Sequence, residues 1–122
     1  MFTTQLEALK EQLQSAIDDD RITFKPLKTD KGSYAIKFPP NHRIARFVYL
    51  ETKTGSFYKC VCDDDLCKEI FDKIGVKYKD CPGYPPYETK KESKILHLNN
   101  AADAREFLLD VTREYIRLND NN

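Results

Sequence analysis

From Tyr34 to Cys62 the chain reads as three short extended segments joined by two tight turns, and this stretch constrains the fold most. Tyr34, Ile36 and Phe38 recur two apart, which puts them on one face of a strand. Pro39-Pro40-Asn41 stops that strand, and residues 44–50 (IARFVYL) form the most β-prone run in the chain. Lys53-Thr54-Gly55-Ser56 is hairpin chemistry, and Phe57 to Cys62 returns along the previous strand. An antiparallel meander over residues 34–62 is therefore predicted.

Helices bracket it. Residues 4–17 carry Leu6, Leu9, Leu13 and Ile17 at helical spacing, with Thr4 and Glu7 placed as a capping box. The run Asp18-Asp19-Asp20 reads as the exit, because the helix dipole disfavours negative charge there. Residues 22–27 contain Pro26 and are predicted as an edge strand or an irregular segment. A second helix is expected after Asp63-Asp64-Asp65, with Leu66, Ile70, Phe71 and Ile74 as its stripe and Gly75 as its end. Residues 79–91, with three prolines and a glycine, read as a loop; residues 94–98 read as a strand. Asn100 is placed to cap a last helix striped by Ala104, Leu108, Val111, Tyr115 and Leu118. The expectation is one α+β domain over residues 1–122, an antiparallel β-meander packed by N- and C-terminal helices, with 119–122 a frayed tail.

Composition narrows the class. At 122 residues, 40% hydrophobic and with seven Tyr and seven Phe, the chain can bury one small core and does not read as disordered. No apolar run approaches the roughly 18 residues of a membrane span. The first residues, MFTTQLEALKEQ, lack the layout of a secretory signal, which predicts a cytoplasmic protein with no membrane partner.

Twenty basic and twenty acidic side chains cancel overall, yet they are segregated. Residues 1–22 balance at −3 and residues 98–122 at −2, whereas residues 23–58 balance at +5 and hold half the aromatics. A basic, aromatic meander suits a phosphate backbone, for which Lys31, Lys37, Arg43, Arg46 and Lys53 are the candidate contacts. The competing account of the same lysines is a solvated outer face that guards a sheet edge against unwanted pairing.

Catalytic constellations are thin, so the reading leans away from an enzyme and calls for no cofactor. Cys60, Cys62, Cys67 and Cys81 follow a C-x-C-x4-C-x13-C spacing without the C-x2-C knuckle of zinc sites, and buried thiols are the expected role. Glu51-Thr52-Lys53 with Asp30 has the shape of an E-x-K nuclease element, but at a hairpin tip these groups lack neighbours to position them. His42 and His97 are the only imidazoles for cysteine–histidine catalysis, and neither sits in a local signature. Four isolated glycines, at 32, 55, 75 and 83, exclude a phosphate-binding P-loop. The stretch Pro82 to Tyr87 offers Tyr84 and Tyr87 as a stiff aromatic contact loop.

From Tyr34 to Leu118 the order of elements, with "DDDLCKEIF", "SKILHL" and "AADAREFLLDVTREYI", resembles the MmcQ/YjbR-like group of small α+β domains. That resemblance implies a double-wing arrangement and a presumed nucleic-acid-binding role. It implies no catalytic residue. Two functions are therefore expected to compete. One is a non-catalytic module whose basic meander binds an anionic partner, nucleic acid foremost. The other is a protein-interaction module of inhibitor or immunity type, using the Tyr/Pro loop and the acidic ends of the chain.

Overall fold

The predicted meander forms the centre of a six-stranded sheet, seen in a computed structural model that describes residues 3–28, 32–62, 66–80, 87–88 and 94–121. Its strands are β1 (Thr23–Leu27), β2 (Ser33–Phe38), β3 (His42–Thr52), β4 (Gly55–Cys62), β5 (Tyr87–Glu88) and β6 (Lys94–Leu98). They lie in the order β1-β2-β3-β4-β6-β5, and every neighbouring pair is antiparallel. Three helices, α1 (Thr4–Ala16), α2 (Cys67–Ile74) and α3 (Ala101–Asp120), complete the α+β architecture.

Strand alternation divides each strand between two faces. Tyr34 stands opposite Phe47, Phe47 opposite Cys60 and Cys60 opposite Leu96, so one buried row crosses β2, β3, β4 and β6. Leu6, Leu9 and Leu13 of α1 and Ala104, Phe107, Leu108 and Val111 of α3 join the same core. Aromatic contacts run within and between the layers: Phe47 meets Phe24 at 6.5 Å and Tyr34 at 5.8 Å in the sheet, Phe107 of α3 meets Phe71 of α2 at 6.2 Å, and Phe38 of β2 meets Tyr115 of α3 at 5.3 Å. All three helices lie on this side of the sheet.

Local chemistry adjusts the predicted ends. The cap of α1 is Thr3 rather than Thr4: its hydroxyl accepts from the Leu6 amide at 3.0 Å. Glu7 is thereby moved out of capping-box position, and its carboxylate accepts from the Tyr34 hydroxyl at 2.5 Å. That contact, with burial as the larger cause, pushes the Tyr34 phenol up to about 12. Pro26 does sit in an edge strand, opposite Tyr34. Gly75 ends α2 as expected, standing as its C-cap, but its backbone stays right-handed (φ −60°) and residues 75–78 follow as a 3-10 turn. The turn is held on α3 by Lys77, which reaches Glu106 at 2.6 Å and Asp110 at 3.0 Å, and by the Tyr78 hydroxyl, which donates to Asp110 at 2.6 Å. Within the predicted loop 79–91, residues 87–88 form the two-residue edge strand β5. Asn100 caps α3 as expected, accepting from the Asp103 amide at 2.8 Å.

The last helix runs into a charged clasp. Arg21 bonds Asp19 and Asp120 and lies over the Phe38 ring at 5.0 Å. Asp19 and Asp120 are both held below the ordinary carboxylate range by its guanidinium. The acidic run is thus partly an anchor for α3 rather than only a helix exit.

Candidate functional site

The side of the sheet away from the helices presents the other half of the alternation. Its described strand positions include Lys25, Lys37, Arg43, Arg46 and Lys59, with Val48, Leu50, Phe57, Ile95 and His97. Five of these are cations. No carboxylate occupies a described strand position on this face. The helices and their flanks (residues 3–22, 66–80 and 99–121), by contrast, carry nine basic and thirteen acidic side chains, a balance of −4.

A bulge in β3 makes this possible. Ile36 pairs with Ala45, but Lys37 pairs with Arg43, so Ile44 is an extra residue. Ile44 and Ala45 are both fully buried among the core residues. Three residues apart, Arg43 and Arg46 would face opposite ways in a regular strand. The extra residue returns both to the helix-free face, opposite Lys37 and Ala35 respectively.

Edge protection does not account for these charges. Lys25 lies on the edge strand β1, but Lys37, Arg43, Arg46 and Lys59 lie on β2, β3 and β4, which are paired on both sides. Lys37 and Arg43 are moreover direct cross-strand partners, and like charges in that position cost stability. The Lys37 ammonium donates to Asn41 at 3.1 Å, which positions it without neutralising it.

Near the β3–β4 hairpin the face changes character. Phe57 and His97 stack at 4.4 Å with 26° between their rings, beside half-buried Val48 and Leu50. Lys59 sits between them on the sheet, opposite both Val48 and His97. Burial, then the Lys59 charge, lowers the His97 pKa below its ordinary 6.5, so the ring is neutral at neutral pH.

Of the predicted contact residues, Lys37, Arg43 and Arg46 are brought together on this face. Lys53 stands apart in the two-residue hairpin turn between Thr52 and Gly55, and Lys31 lies outside the described residues. Sequence reasoning passed over Lys25 and Lys59. Parity held the signal for Lys59, since Cys60 and Cys62 point into the core and Lys59 must point away. Tyr84 also lies outside the described residues; Tyr87 holds a register position opposite Ile95.

The other candidate chemistries do not assemble. Cys60 and Cys62 are fully buried beneath the helices, and burial pushes the Cys60 thiol well up. His97 is on the opposite side of the sheet from Cys60, and His42 stacks on Tyr115 at 5.5 Å. Cys67 begins α2, whereas Cys81 and Asp30 lie outside the described residues. Among the described residues no three His, Cys, Asp or Glu side chains gather as a metal site. Glu51 is exposed at the strand end, opposite Ser56. An open groove between α1 and α3 is walled largely by Ala8, Ala16, Ala101 and Ala102, with Glu11 and Arg105 as its charges, and holds no nucleophile–base pair. No described helix is long and apolar enough to cross a membrane. Compared with family models, curated proteins and solved structures, the chain matches none.

Proposed function

We propose that this chain is a non-catalytic binding module whose helix-free sheet face takes an anionic partner, and that the partner is nucleic acid. The observation that carries this reading is the gathering of Lys25, Lys37, Arg43, Arg46 and Lys59 on one face with no carboxylate at a described strand position. Such a face supplies affinity for a polyphosphate backbone irrespective of base sequence, through release of condensed counterions. The resemblance of the element order to the MmcQ/YjbR-like group points the same way.

Fluorescence anisotropy with labelled oligonucleotides tests it. Affinity is expected to fall steeply between about 50 and 200 mM salt, and each phosphate contact removed lowers the log–log slope by about 0.7–0.9. Lys25→Gln, Lys37→Gln and Lys59→Gln together therefore flatten the slope by about two units, equally for unrelated sequences. No binding at about 50 mM salt overturns the proposal. That result favours the competing protein-interaction module, for which the acidic helix side is the available surface.

A further inference from the structure

The charged end of this face explains attraction to phosphate, but not the aromatic end. Phe57 and His97 are stacked on each other on the helix-free side, half-buried, with Val48 and Leu50 beside them. A duplex turns its phosphates outward and its base planes inward, so against a broad sheet face it would desolvate these rings without offering them a partner. An unpaired strand exposes base planes, and aromatic rings are the groups that bind base planes without regard to sequence. Building on the proposed nucleic-acid role, we infer that the ligand is single-stranded, with one base continuing the Phe57–His97 stack and the backbone running along β3 toward Arg43 and Lys37.

The dimensions suit this path. Phe57 stands opposite Leu50, and β3 runs from Leu50 back to Arg43 over about 20 Å at about 3.3 Å per residue. That length takes about four nucleotides, the low end of site sizes for single-strand-binding β-domains. Lys59 lies between the stack and Arg46, where the first phosphate after the stacked base would pass. A neutral His97 serves the stack as an aromatic surface rather than as a sixth cation.

Three labelled probes of equal length separate this inference from the broader reading: oligothymidine, the same strand with abasic sugars, and a duplex. The full chain should bind oligothymidine about tenfold or more tightly than the abasic strand, and more tightly than the duplex. Phe57→Ala should erase the preference for bases while leaving the salt slope unchanged, and Phe57→Tyr should restore it. The abasic comparison uses the unaltered chain, so it stands even if Phe57→Ala fails to fold. Equal binding of the thymidine and abasic strands, or duplex binding as tight as single-strand binding, overturns the inference and leaves the basic face intact. Failure of all three probes overturns both. Oligouridine compared with oligodeoxyuridine then assigns RNA or DNA by which sugar binds more tightly.

Discussion

The two faces of this sheet are built from the same strands, residue by residue in alternation, and they obey different rules. Phe47 is buried beneath α1 and α3, whereas Val48, the next residue, looks out on the helix-free side. Cys60 and Lys59 divide in the same way, as do Leu96 and His97. On the covered face, composition follows from burial: apolar groups in contact, with hydroxyl and carboxylate groups such as Tyr34 and Glu7 paired at its margin. On the other face five cations share a surface, and burial under the helices does not call for them there. A region that the folding free energy does not explain is where function is best sought.

The sharpest break in that comparison comes from neighbouring residues on β3. Phe47→Ala should cost about 3–5 kcal/mol in urea unfolding, enough to unfold a marginal domain, because it empties a site ringed by Phe24 and Tyr34. Val48→Ala should cost about 1 kcal/mol or less. Comparable losses at the two positions would mean that Val48 is as buried as Ala35 and Val61 already are on the same face.

A smaller effect is expected where the helix side uses charge structurally. Glu114 of α3 is only 8% exposed and accepts from Arg117 and Lys73, the latter at 3.2 Å. The Arg117 guanidinium, then Lys73, holds its carboxyl below the ordinary 4.5 against the opposing effect of burial. A depressed carboxylate stabilises the fold above its unfolded pKa, and that contribution disappears as pH falls through the folded value. Glu114→Gln should cost about 1 kcal/mol at neutral pH, modest because both cations are half-exposed. It should also remove part of the acid sensitivity below about pH 4.5. An unchanged acid transition would show that the pair is not a structural element.

The smallest stability change is expected from the charges themselves. Lys25→Gln, Lys37→Gln and Lys59→Gln should each shift unfolding by less than about 0.5 kcal/mol, with Lys37→Gln on the stabilising side because it relieves the pairing with Arg43. A loss of more than about 1 kcal/mol at any of them would assign that lysine to the fold rather than to a ligand.

What was legible in the sequence was what periodicity and short-range chemistry encode. Alternation at Tyr34, Ile36 and Phe38 marked β2, the stripe through Leu108 and Val111 marked α3, and Asn100 announced its cap. Other features depend on partners distant in sequence. Thr3 and Thr4 are equivalent caps until Tyr34 claims Glu7. Gly75 is the stop it reads as, but the 3-10 turn after it depends on Lys77 and Tyr78 finding α3. Three of the five cations on the candidate face were visible as a cluster of basic residues. Lys25 and Lys59 joined it only through register, and the direction of the whole face was undecided until the helices chose one side of the sheet.

The bulge at Ile44 bears on how such a face can change over generations. Point substitutions can tune the number of cations, one at a time and at little cost to the core. Inserting a residue beside the bulge would act on phase instead: everything before the insertion on β3 would rotate by half a period relative to everything after it. With such an insertion Arg43 would be driven under the helices, while His42 would be drawn away from Tyr115. Losing the extra residue would only regularise the strand and leave both arginines on the same face, so gain and loss of one residue between Arg43 and Arg46 are not equivalent events.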